Sequence, residues 1–105
     1  MPNDRAAFHH DASAEYDAAF DWYLERSREA ALKFDAEVDR ALTQIAQTPK
    51  RWTAGPHHTR KFLLRHFPFT LIYREVASGE VQVIAVAHTS RRPGFWKDRL
   101  KPENS

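Results

Sequence analysis

A chain of 105 residues, 42% of them apolar and with seven Phe, three Trp and three Tyr, has bulk for one modest hydrophobic core and reads as a single domain over 1–105. It contains no cysteine, which excludes disulfides, thiolate metal sites and cysteine nucleophiles. A net charge of +2 conceals a division: residues 1–47 carry ten acids against five bases (−5), residues 48–105 eleven bases against four acids (+7). That split suits one part facing water and another facing an anionic partner.

The N-terminal "MPNDRAAFHHDASAEY" has no apolar run followed by a cleavage site, so no signal peptide is expected. No stretch approaches the roughly 18 apolar residues of a membrane span, and a soluble, cytoplasmic protein without membrane association is the expectation. A short strand around Ala6 to His9 is allowed by the pattern but not demanded by it. Tyr16, Ala19, Phe20, Tyr23 and Leu24 then recur at i, i+3, i+4, i+7 and i+8, predicting an amphipathic helix over 13–26 with Asp11 or Ser13 as its cap. Glu15 and Asp17 lie in its first turns, where acids suit the helix dipole. Ala31, Phe34, Val38, Ala41, Leu42 and Ile45 form a second stripe, with Ser27 as cap and Thr48-Pro49 as stop. So short a connection makes the pair an antiparallel helical hairpin.

"KRWTAGPHH" reads as a loop that folds Trp52 back over the core. "TRKFLLRHF", "FTLIYREV" and "VQVIAVAH" read as three strands, broken at Phe67-Pro68 and by a turn at Ser78-Gly79. The apolar run 81–87 marks the last strand as central and covered on both faces. The expectation is an α+β domain, (β)-α-α-β-β-β, with a helical hairpin on a small twisted antiparallel sheet.

Strict alternation puts Arg60, Phe62, Leu64 and His66 on one face of the first main strand and Lys61, Leu63, Arg65 and Phe67 on the other. On the next strand Thr70, Ile72 and Arg74 oppose Phe69, Leu71, Tyr73 and Glu75. On the last, Gln82, Ile84, Val86 and His88 oppose Val81, Val83, Ala85 and Ala87. Either packing leaves a cationic patch drawn from Arg60 or Lys61, Arg65, Arg74, His88, Arg91 and Arg92. Two chemistries fit it. Metal-free RNA cleavage needs a base, an acid and cations for the developing charge; His88 could serve as base, Tyr73 as proton donor, and Arg65 with Arg60 or Lys61 as phosphate clamps. Plain recognition would instead use the cations with Phe95 and Trp96 to dock a protein or nucleic acid. The adjacent pairs His9-His10 and His57-His58 should point apart and chelate poorly, so no metal or other cofactor is expected. No phosphate-binding glycine loop and no serine-hydrolase elbow is present.

Four segments in order resemble the RelE/ParE superfamily of toxins from type II toxin–antitoxin systems, the plasmid-stabilisation proteins: "EYDAAFDWYLERS", "KFDAEVDRALTQIAQTPKRW", "TRKFLLRHFPFTLIYRE" and "VQVIAVAHTSRRPGFWKDRL". The most specific elements are Phe67 to Tyr73 and Ala85 to Trp96. The resemblance implies the same α-α-β-β-β fold and a cognate antitoxin that wraps the toxin in a hetero-oligomer. RelE-like members are ribosome-dependent endoribonucleases using Lys, Arg and Tyr on the sheet; ParE-like members inhibit DNA gyrase and lack that set. Here the C-terminal tyrosine of RelE-like members is replaced by Phe95 and Trp96, which cannot exchange protons. The leading expectation is growth arrest by ribosome-associated mRNA cleavage through His88, Arg65 and Tyr73, with RNA or a partner held by Arg60, Lys61, Arg74, Arg91, Arg92, Phe95 and Trp96. The alternatives are gyrase inhibition by binding without catalysis, and a non-toxic binding module.

Overall fold

A computed structural model describes residues 6–76 and 80–100. Strand β1 (Ala6–Phe8) leads into helix α1 (His10–Arg26) and helix α2 (Arg28–Gln47). Strands β2 (Thr53–Ala54), β3 (Arg60–Leu63), β4 (Phe69–Glu75) and β5 (Val81–His88) follow, and a 3₁₀ turn over Lys97–Leu100 closes the described chain. Among the described residues these strands form one sheet in the order β1-β5-β4-β3-β2. Strand β1 runs parallel to β5, and every other neighbour is antiparallel. The expected turn at Ser78-Gly79 lies outside the described residues.

The helical hairpin turns on one residue. Ser27 ends α1, its backbone N–H reaching the Tyr23 carbonyl, and starts α2, its Oγ accepting from the Ala30 N–H at 3.1 Å. Thr48 closes α2 before Pro49. The cap of α1 is His9, whose Nδ1 accepts from the Asp11 N–H at 3.1 Å, rather than Asp11 or Ser13. The helix therefore begins three residues earlier than the apolar stripe suggests.

One core lies between the hairpin and the sheet. Phe34 is fully buried at its centre, with ring centroids 5.6 Å from Tyr16, 5.3 Å from Tyr23, 5.3 Å from Phe67 and 5.5 Å from Phe69. Val38, Leu42 and Ile45 of α2, with Leu71, Tyr73, Val81, Val83 and Val86 of the sheet, complete it. Leu24 does not join and is 46% exposed; α1 meets the core through Ala12 and Ala19, which are buried, and through the half-buried Tyr16, Phe20 and Tyr23. Trp52 packs on Phe62 at 4.5 Å, over the core as expected. A second, smaller cluster occupies the opposite face of the sheet, where Trp96, Phe95 and Leu100 cover Ile72, Ile84 and Ala85.

Strand β3 stops at Leu63, short of the 59–67 run that the sequence favours. Glu37 supplies the cause. It lies on the buried stripe of α2, and its carboxylate accepts from the Arg65 N–H, from the His66 N–H at 3.2 Å and from His66 Nδ1 at 2.9 Å. Backbone donors drawn to a helix side chain are lost to a strand ladder.

Candidate functional site

The face on which His88 emerges depends on one residue of β5. Along the β4–β5 ladder Ile72 faces Ala85, but Tyr73 faces Val83, so Ile84 has no partner opposite and forms a β-bulge. A bulge switches the face on which subsequent side chains appear. Val81 and Val83 therefore share the helix-facing side with Val86 and His88, not with Ala85 and Ala87. Strict alternation along β5 fails here.

The expected cationic patch is divided as a result. His88 sits on the helix side, its ring 5.3 Å from Phe69 and edge-on to it. Arg74 is on the opposite face, donating from Nε (3.3 Å) and Nη2 (3.2 Å) to Gln82 Oε1. Arg60 lies opposite Tyr73 and donates from Nη1 to the Trp52 carbonyl at 2.8 Å, while Lys61 and Leu63 point to the other face. Arg65 is exposed beyond the end of β3.

Tyr73 is completely buried and its hydroxyl donates to the Pro49 carbonyl at 2.6 Å. Burial, opposed by Arg60 and reinforced by Glu75, pushes its phenol up to about 12. It is a core residue and cannot pass a proton to a substrate at the surface. The Nδ1 of His88 accepts from the Ser90 N–H at 3.1 Å, which leaves the proton of the neutral ring on Nε2. The Ser90 hydroxyl also lies against that nitrogen, with Oγ at 2.8 Å. Trp96 is 6% exposed and is packing, not a docking surface.

Two features are built from these elements. The first is a groove of about 450 Å³ between α1 and the upper ends of β4 and β5, floored by Ala19, Tyr23, Phe69 and Val86. Trp22 stands at its rim, 52% exposed, with the Arg26 guanidinium 3.6 Å above its ring. Acidic and basic groups on its lining are Glu15, His88 and Arg91, beside the polar ends of Trp22 and Tyr23.

The second is the segment after β5. Because β1 is three residues long and ends opposite Val83, the rest of β5 has an open edge. Two side chains fill it. Glu15 Oε1 accepts from the Val86 N–H at 3.0 Å, and Arg99 Nη1 donates to the Ile84 carbonyl at 3.0 Å. The same Arg99 forks onto Glu15, Nη1 to Oε1 at 2.9 Å and Nη2 to Oε2 at 2.8 Å, with its Nε 3.6 Å from Asp11. Hydrogen bonding to Glu15 raises the guanidinium pKa above its already high ordinary value, against burial. Phe95 lies between Arg91, 3.7 Å from its ring centroid, and Arg99 at 5.1 Å.

His9 and His10 do not point apart: their rings stack at 4.3 Å, and ligand atoms of His9, His10 and Asp11 fall within 4.8 Å of one another. The set suits a cation poorly. His9 Nδ1 already caps the helix, Arg99 approaches Asp11, and the site sits at the positive end of α1.

A family model described as the ParE toxin of the type II toxin–antitoxin system parDE matches residues 6–93. The chain belongs to the ParE toxin family. A solved structure titled "Chromosomal ParDE TA system from P. aeruginosa" is similar in fold, with a TM-score of 0.66 and 23% identity, covering 79% of this chain and 92% of that one. Among curated proteins, none matches the chain in sequence.

ParE membership overturns the expectation of mRNA cleavage on the ribosome. The geometry gives the physical reason. The proposed acid is in the core, the proposed base has its acceptor nitrogen engaged by its own turn, and Arg74 is on the opposite face from His88. As a ParE-type toxin the protein is one half of a toxin–antitoxin pair. No helix among the described residues is long and apolar enough to cross a membrane.

Sequence reasoning missed Glu15, Arg99, Glu37 and His66. One signal was available: Glu37 interrupts the apolar stripe Phe34, Val38, Ala41 at a buried position, and an acid there needs partners. Glu15 and Arg99 gave none, being 84 residues apart.

Proposed function

We propose that the protein arrests growth by inhibiting DNA gyrase through binding alone, in the cytoplasm, as a one-domain toxin held in check by a cognate antitoxin. The observation that carries the reading is the match to the ParE toxin model over residues 6–93. It is supported by the dispersal of the acid, base and cations that cleavage would need. The solved relative from P. aeruginosa is described as a ParDE toxin–antitoxin system, which supports an antitoxin partner for this chain and a hetero-oligomer.

The target surface in this reading is the segment after β5. Arg91 and Arg92 are exposed, Phe95 is half-buried, and arginine beside an aromatic ring is a combination enriched at protein interfaces. The antitoxin would lie in the groove by α1, an apolar residue seated among Trp22, Tyr23 and Phe69 and an acid near His88 and Arg91. Lys61 and Arg74, on the opposite face, add to the positive field that steers an acidic partner. A supercoiling assay with purified gyrase and relaxed plasmid tests the proposal. Inhibition that is relieved by the antitoxin is expected; unchanged supercoiling at large toxin excess, in a strain that the toxin still arrests, refutes it.

A further inference from the structure

We infer that Glu15 and Arg99 are positioning residues, which hold the segment from Arg91 to Lys97 in the shape that meets the toxin's target without touching the target themselves. This rests on the reading of that segment as the target surface.

The argument starts from how little else secures the segment. It has no strand or α-helix, and Gly94 turns it in the left-handed region at φ 77°. Its apolar anchor is Trp96, on the face of the sheet away from the helices. Its polar anchor is Arg99, which lies beyond the exposed cations and joins three separate parts of the fold: α1 through Glu15 and Asp11, the β5 backbone through Ile84, and the ring of Phe95. Both members of the pair are shielded, with side-chain exposures of 15% for Arg99 and 17% for Glu15. So enclosed a fork offers little surface to the target, although Glu15 also lines the groove beside α1. Arg92 is the reverse: exposed, and without an ion pair among the described residues. Arg91 sits between these roles, stacked on Phe95 and 3.9 Å from Glu15. The chemistry is thus layered: a shielded arginine–glutamate fork, an aromatic ring beside it, Arg91 stacked on that ring, and Arg92 exposed outside.

Preorganisation has a defined consequence for binding. If the segment samples many shapes, apparent affinity falls by the fraction of molecules in the competent one. Loss of the fork should therefore weaken target inhibition while the helical hairpin stays intact. Lysine cannot replace this arginine: one ammonium cannot bond both Glu15 oxygens and the Ile84 carbonyl in that planar geometry. In E15Q the amide oxygen can still accept from the Val86 N–H, but the charge that draws Arg99 is gone.

The experiment uses the purified full-length chain and its R99K, E15Q, R92A and R99K/R92A variants. Two quantities are measured: the concentration for half-inhibition of gyrase supercoiling, and hydrogen exchange of peptides spanning 89–100 and of α2. R99K and E15Q should each raise the half-inhibitory concentration about tenfold or more, with faster exchange over 89–100 and unchanged exchange in α2. R92A should weaken inhibition without loosening the segment. In the R92A background R99K should cost markedly less than it does alone, because residues acting through one surface are not additive. Faster exchange without loss of inhibition overturns the inference, as does loss of inhibition with the segment still protected. Additive losses in the double variant overturn it too, since a purely structural role predicts them. If R99K also deprotects α2, E15Q decides. If the wild-type chain leaves gyrase untouched, it is the proposed target that fails; the same cycle is then read on growth arrest, where additivity or no effect sinks the positioning role as well.

Discussion

The two faces of the sheet are covered by different means. On one, α1 and α2 lay down an apolar stripe around Phe34, and the contact is a broad, close-packed aromatic core. On the other, a short irregular segment is held by Trp96 and one enclosed ion pair. Broad apolar burial tolerates the loss of any single polar contact. A segment held at two points depends on both, because a fork that loses one partner leaves a shielded charge unpaired. The helix face thus behaves as scaffold, and the opposite cover as the part whose shape can be changed by one substitution.

The largest effect should come from breaking the scaffold. Phe34→Ala removes the ring at the centre of the core and should cost about 3–5 kcal/mol in chemical denaturation. Trp96→Ala sharpens the contrast. It should cost about 3 kcal/mol, the low end for truncating a buried tryptophan because the site lies on the thinner cover, with hydrogen exchange accelerating over residues 89–100 ahead of α2. If instead both regions loosen together, the two covers are a single cooperative unit.

Glu37→Gln tests the polar pin that ends β3 and should cost about 1–3 kcal/mol. It also carries a pH signature. Burial opposes ionisation of Glu37, but the bonds from His66 and from the Arg65 and His66 backbone outweigh it and hold the carboxyl below its ordinary range. A carboxyl depressed in the folded state contributes stability that is present above its unfolded pKa and is lost as pH falls through the folded one. The wild type should therefore lose more stability than E37Q between neutral pH and the acid side of the normal carboxylate range; equal losses in urea titrations would remove Glu37 from the account. The smallest effect is Ser27→Ala, about 1 kcal/mol from the cap of α2, read by thermal unfolding.

Legibility followed the range of the interactions. Both helices, the Ser27 cap, the Thr48-Pro49 stop and the β-α-α-β-β-β order, apart from the two-residue β2 in the stretch read as a loop, could be read from neighbours within a few positions, because helix and strand periods are local. His9 as cap was missed because histidine is not among the usual capping residues. The end of β3 was missed because its cause, Glu37, lies 28 residues away in sequence. The face of His88 was misassigned because a bulge leaves no mark in an apolar run: Val83, Ile84, Ala85 and Val86 look alike whichever of them is the extra residue.

The sequence by itself determined the longer elements, their order, most of the apolar stripes and the superfamily, since each is written in local pattern and in ordered motifs. Only the tertiary structure decided which cations are neighbours, that Tyr73 is core, and that Glu15 meets Arg99. Those outcomes rest on strand register and on contacts between residues far apart in the chain. Neither is encoded in any short stretch; both follow from the single packing that satisfies the core and the open edge of β5 together.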